Sequence, residues 1–185
     1  MSIGNTNLAV YNTGGFDRGR SALIVAMWYC INAIIFNSYL FPFYACKRFL
    51  LRLFGAKVGC GVLIKPKVNI KYPWKLSIGD HVWIGENVWI DNLEKVSIGN
   101  NSCISQGALL ICGNHNYKKS TFDLITSPII IEDGVWIGAK SIVTGGTICK
   151  SHSVLAIHSV ASSDLESFSI YRGNPAIKIK ERIIE

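Results

Sequence analysis

No Cys-x-x-Cys pair occurs among the six cysteines (Cys30, Cys46, Cys60, Cys103, Cys112, Cys149), and they form no dense framework. That excludes a disulfide-stapled fold and a cysteine metal ribbon, and reduced thiols are expected. No signal-peptide pattern stands at the start, so the expected location is cytoplasmic, free or peripheral at the inner face of the membrane. Charge is scarce, at 17% of residues against 49% hydrophobic. The net charge of +7 comes from thinly spread Lys and Arg with no recognition module, which excludes a nucleic-acid partner. A polyanionic small molecule or an anionic membrane surface suits such a balance better.

From Ala22 to Cys46 there is no charged residue at all. One long membrane span would have to bury Asn32, Asn37 and Ser38 and would break at Pro42. Two shorter helices, at roughly 22–37 and 42–54, fit better. The second carries Lys47, Arg48 and Arg52 on one side, Phe49, Leu50, Leu53 and Phe54 elsewhere, and Gly55 as its stop. Such helices would cap an open strand edge. The alternative is peripheral membrane contact through residues 22–54.

What the chain has is a period of six. Val58, Ile64 and Ile70 are followed by Ile78, Ile84 and Ile90, then by Ile98, Ile104 and Leu110, and after a gap by Ile131, Ile137, Val143, Cys149 and Leu155. Neither a helix nor a half-buried strand repeats at six. A chain that turns a corner every six residues and points one aliphatic residue inward per side does, and three sides make one coil of a triangular prism. Gly59, Gly79 and Gly99 are 20 residues apart rather than 18, so one corner carries a two-residue bulge before Ser77 and Ser97. Roughly five coils stacked at about 4.8 Å are expected. Residues 1–57 read as a lead-in and helical cap and 58–185 as the repeat domain, with a loop at 112–128 and a tail at 168–185.

The I-G-x-x-V/S-x units, with VWIGAK at 135–140 and RGNPA at 172–176, resemble the hexapeptide-repeat acyltransferases. The resemblance implies a mainly β fold, a left-handed parallel β-helix with an N-terminal helical segment, acting as a homotrimer; handedness comes from the family alone. FLLRLFGAKVG (49–59), IKYPWKLSIGD (70–80) and ISQGALLICGNHNY (104–117) are closest to the acetyltransferases of colanic acid and other exopolysaccharide biosynthesis. That likeness implies acetyl-CoA as co-substrate and a sugar acceptor, nucleotide-linked or lipid-linked.

His115, in GNHNY, matches the family's general base. An imidazole can take a proton from a sugar hydroxyl near neutral pH and return it to a leaving thiolate. For the acceptor, the coil beneath the loop offers Asn87, Asp91 and Asn92, although corner polar residues are as often turn formers. The acceptor-binding asparagine and aspartate of the better-known sugar acetyltransferases fall on Gly85 and Leu93, which argues for a different sugar. For coenzyme A, the resemblance implies a groove between subunits touching Ala139, Ile157, Ser162, Ser163, Arg172, Lys178 and Lys180. A lysine is frequent in the family at Ser163, so phosphate contacts are expected to shift to Lys178 and Lys180. A zinc site like that of hexapeptide carbonic anhydrases is not expected: His81 and His152 share a corner about 14 Å apart and His158 lies at another. The reading is an O-acetyltransferase; N-acylation of an amino sugar and a non-catalytic trimeric scaffold are the alternatives.

Overall fold

One residue turns with positive φ at two of the three corners of each coil: Gly61, Lys67, His81, Asn87, Asn101 and Gly107 in the first three coils, and Gly134, Lys140, His152 and His158 beyond them. Glycine adopts this backbone freely, and Asn and His tolerate it better than most residues. In the computed structural model, which describes residues 4–185, these corners wind the chain into a parallel β-helix with three flat sides. The first side stacks Lys57–Val58, Leu76–Ile78, Val96–Ile98, Ile129–Ile131 and Ile148–Cys149. The second stacks Leu63–Ile64, Trp83–Ile84, Cys103–Ile104, Trp136–Ile137, Val154–Leu155 and Ser169–Gly173, and the third Asn69–Ile70, Trp89–Asp91, Leu109–Ile111, Ile142–Thr144 and Val160–Ala161.

The six-step register holds throughout. Ile64 pairs with Ile84, Ile84 with Ile104, Ile104 with Ile137 and Ile137 with Leu155, and all five are fully buried. A second inward position, two residues earlier, is filled by Val62, Val82, Ser102, Val135 and Ser153. On the third side the same position holds Val68, Val88, Ala108, Ser141 and Ser159, and on the first Leu76, Val96 and Ile129. The bulge of the 20-residue coils is the turn at Pro73–Lys75 and its counterpart after Asp91. Five full coils are followed by an incomplete sixth, in which Leu165 bridges to Cys149 and Ile170 pairs with Val154. The tail then folds back as the antiparallel strand Ala176–Glu181.

Helices at Ala22–Ile31, continued by a wider turn over Asn32–Phe36, and at Tyr44–Leu53 close the opposite end. They do so with side chains as well as packing. Arg52 donates to the carbonyls of Val58 and Gly59, Arg48 to Val62, Lys47 to Ile64 and Lys65, and the Trp28 indole to Ile70. Asn32 accepts from the Ile70 amide at 3.2 Å. The strand edge of the first coil is thus satisfied group by group, as a buried edge requires. The basic stripe of the second helix therefore lies against the edge of the first coil. No helix among the described residues is long and apolar enough to cross a membrane.

Candidate active site

The loop leaves the prism after the third side of the third coil as a hairpin, Gly113–His115 against Leu124–Thr126, with Asn114 opposite Ile125 and His115 opposite Leu124. Its root crosses close over the coil below, where a Cβ on Gly113 would come within 2.7 Å of Leu93 Cδ1. The tip is tied by Lys119–Asp123 at 2.8 Å and by the Asn116 amide donating to the Asp123 carbonyl. The Lys119 ammonium, with the Thr121 hydroxyl, holds the Asp123 carboxyl below the usual carboxylate range.

His115 sits partly buried with its ring stacked on Phe122, centroids 4.3 Å apart and planes 9° from parallel. Its Nδ1 lies 3.1 Å from the Phe122 carbonyl oxygen. A carbonyl only accepts, so Nδ1 carries the proton and, in the neutral ring, Nε2 presents a free lone pair. That is the tautomer a general base needs. The ring is held by the stack on Phe122 and is also approached by Tyr11, its centroid 5.8 Å away and its plane tilted by 58°. Tyr11 arrives on the lead-in, which is not an idle end: Leu124 donates to the Asn12 carbonyl, Asn7 to that of Ser120, and Trp74 and Lys75 hold the carbonyls of Arg18 and Asp17. Sequence reasoning missed Tyr11 and Phe122; the loop holds only Tyr117 and Phe122 as aromatics, so no local signal marked either residue.

The three acceptor candidates separate. Asp91 lies at the loop's root, its carbonyl accepting from the Cys112 amide and its carboxylate 2.9 Å from Lys71 Nζ. Asn87 is exposed, but at the corner between the second and third sides. Asn92 is a correction to the expectation: it is fully buried, accepting from the Tyr72 amide and donating to its carbonyl, so it shapes the bulged corner and offers no atom to a substrate.

The donor candidates fall on two corners. Ser162 lines a cleft of about 510 Å³ with Gly113, Asn114, Thr144 and Gly145, at the loop's own corner, and Ser163 is exposed beside it. Ala139 and Ile157 stack one coil apart at the other edge of the third side, where a Cβ on Gly138 would meet the Ile157 amide nitrogen at 2.6 Å. Arg172 is exposed near this corner, next to Gly173, whose amide donates to Ser159 Oγ. Lys178 departs from its expected part. Its ammonium is 2.7 Å from both Glu166 and Glu181, which push its pKa up and neutralise the charge locally. Lys180 is exposed and forms no ion pair among the described residues. Arg182, unremarked in the sequence, pins the tail by donating to the carbonyls of Gly134 and His152. His81 and His152 are corner residues lying over Gly61 and Gly134, and no cluster of three metal-binding side chains occurs among the described residues.

The profile of the hexapeptide repeat of succinyl-transferase matches residues 75–111 and 128–156. A protein of Escherichia coli K12 named as a colanic acid biosynthesis acetyltransferase, WcaF, is 37% identical over 90% of this chain and 91% of its own length. The galactoside O-acetyltransferase of the same organism is 26% identical over 71% of this chain and 66% of its own. Among solved structures, a hexapeptide-repeat-containing acetyltransferase of Vibrio cholerae, complexed with acetyl coenzyme A, superposes with a TM-score of 0.80 at 24% identity, covering 95% of this chain and 97% of that one.

Proposed function

Since the chain belongs to the hexapeptide-repeat acetyltransferases, we propose that it transfers an acetyl group from acetyl-CoA to a hydroxyl of a sugar in an exopolysaccharide precursor, with His115 as general base. The observation that carries this is the hydrogen bond from His115 Nδ1 to the Phe122 carbonyl, which leaves Nε2 as the proton acceptor. Nε2 takes the proton of the acceptor hydroxyl as its oxygen attacks the thioester carbonyl, and returns it to the departing thiolate, so the imidazole ends each turnover neutral. The colanic acid name of the relative supports a polysaccharide acceptor, and the acetyl-CoA complex of the structural neighbour supports the donor.

Asp91 at the loop's root is the best placed of the acceptor-orienting residues, and Asn87 would act only from the far corner. For the donor, backbone groups at Ala139 and Ile157 would pair with the pantetheine amides, while Ser162, Ser163, Arg172 and Lys180 would meet phosphates. These residues stand at opposite edges of one flat side, so one chain alone gathers them in no common groove. A homotrimer, with the loop of one subunit facing the tail corner of the next, would bring both sets to one donor. Exposed Trp83, Trp89 and Trp136 on the flat sides favour such an assembly, since a monomer leaves them wet. Residues 4–57 would serve as cap and strap of the repeat domain, and a cytoplasmic site of action would follow from the donor.

The test is to incubate the purified protein with acetyl-CoA and a panel of nucleotide-linked and lipid-linked sugars and identify products by mass spectrometry. An O-acetylated sugar with stoichiometric free CoA is expected. Acetylation of amino sugars only, or no transfer to any acceptor by folded protein, would overturn this reading.

A further inference from the structure

The first helix is apolar on every face, yet of its residues 22–36 only Trp28, Asn32 and Phe36 are buried. A helix apolar all round normally has a non-aqueous neighbour on each side. Here the outward faces of both helices and their connection leave Leu23, Tyr29, Ile34, Leu40, Phe43 and Phe49 more than 60% exposed, Leu40 reaching 91%. This is a continuous run of sequence at one end of the prism, and such patches mark interaction sites.

Charge identifies the neighbour. Residues 18–79, which make up the helices and the first coil, contain ten Lys and Arg and no Asp or Glu, whereas the rest of the chain holds nine cations and all twelve acids. The molecule is therefore a strongly positive cap on a mildly negative body. Lys65 and Lys67 stand beside the exposed apolar run with their ammonium groups over the rings of Tyr44 and Tyr39, at 5.6 and 5.1 Å. Aromatic rings at the boundary between apolar and charged surface, backed by lysines, match the headgroup region of an anionic bilayer. A second copy of this end is disfavoured, because it would bring the two positive caps together.

We propose that the helical end, residues 22–54 with Lys65 and Lys67, docks on the surface of an anionic phospholipid bilayer without spanning it. The apolar outward faces enter the headgroup boundary and the lysines pair with lipid phosphates. Lys47, Arg48 and Arg52 take no direct part, because their side chains are spent on carbonyls of the first coil. The proposal stands apart from acetyl transfer and would survive if that reading failed.

The test floats full-length protein with vesicles of phosphatidylcholine alone and of phosphatidylcholine mixed with phosphatidylglycerol, at low and high salt, with light scattering to follow oligomeric mass. Binding to the anionic vesicles, weakened by salt, is expected. Leu40→Glu with Phe43→Glu should raise the apparent dissociation constant at least about tenfold, the low end of what burying one such side chain is worth. Lys65→Gln with Lys67→Gln should weaken binding by about fivefold per charge at low salt. Leu40→Glu alone, at a side chain that packs on almost nothing, guards against a folding defect. Failure to float with anionic vesicles would overturn the proposal, as would undiminished binding by the glutamate variants. A loss of oligomeric mass in those variants would also overturn it, because the face would then be a contact between copies.

Discussion

Lys47 offers the sharpest test of how the prism is closed. It is fully buried, its Nζ 3.1 Å from the Lys65 carbonyl, 3.3 Å from that of Ile64 and 5.8 Å from the Phe36 ring, and burial lowers its pKa from the ordinary lysine value. Lys47→Met keeps the length and apolar stem and removes only the donor. Each buried carbonyl left without a partner costs about 1–3 kcal/mol, against which stands the desolvation that the lost ammonium no longer suffers. A net loss of roughly 1–3 kcal/mol at neutral pH is expected. The pH dependence supplies the second half. Because the folded pKa is lowered, the unfolded chain binds more protons in the interval between the folded value and about 10.4, so this residue adds stability as pH rises through that interval. The deficit of Lys47→Met should therefore widen from neutrality towards pH 10. Urea unfolding followed by tryptophan fluorescence, at one protein concentration and stepped pH, measures it. A variant as stable as the parent would refute the idea that the ammonium satisfies the edge carbonyls. A deficit that stays flat with pH would refute its burial.

Other expectations are read the same way. His115→Ala should lower kcat by ~10²–10⁴ while coenzyme A still binds by calorimetry, since a positioned base contributes about that much; near-normal turnover on the correct acceptor would end the mechanism. Lys180→Ala should raise the KM for acetyl-CoA more than Lys178→Ala, because Lys178 is already neutralised by Glu166 and Glu181. In the folded protein Cys112 and Cys149, pushed by burial up to about 11 and about 12, should resist alkylation at pH 8 while exposed Cys30 reacts; equal labelling by mass spectrometry would mean that the core opens. Asp80 is held below the usual carboxylate range, chiefly by the Cys60 amide that donates to it. Its contribution is present above about pH 4 and lost as pH falls through the lowered value, so Asp80→Asn, whose amide oxygen can still accept, should flatten the acid limb of the stability curve.

The aliphatic register was legible because an inward residue every sixth position has few competing explanations, and each pairing from Val58 through Leu155 follows it. The small inward positions such as Ser102 and Ser141 were hidden, since a buried serine looks like a turn residue until its partners are seen; these hydroxyls donate to the carbonyls of Glu132 and Ala156. The two helices could be read as a cap on the open strand edge, with peripheral membrane contact as the alternative, but only the structure shows that Lys47, Arg48 and Arg52 do the capping through the edge carbonyls. His115 could be picked out by motif, but its tautomer depends on a backbone carbonyl seven residues away, which no side-chain pattern encodes. The lead-in carried no periodicity, because what fixes it is main-chain hydrogen bonding to the loop and the bulged corner.

The stacking of near-identical coils makes length along the axis a counted quantity. Coils rise in steps of roughly 4.8 Å, and the loop bearing His115 leaves the third coil, so its root stands about two steps, roughly 10 Å, above the first. Point substitutions cannot change that height. Duplicating residues 78–97 would raise it by one step and leave the helices on the first coil, because each coil pairs only with its neighbours, while the lead-in that ties Trp74 to the loop would have to span the added step. The distance from the helical end to the imidazole is thus a ruler graduated in whole coils, and the reach from a lipid surface to an acceptor hydroxyl would be set in the same units.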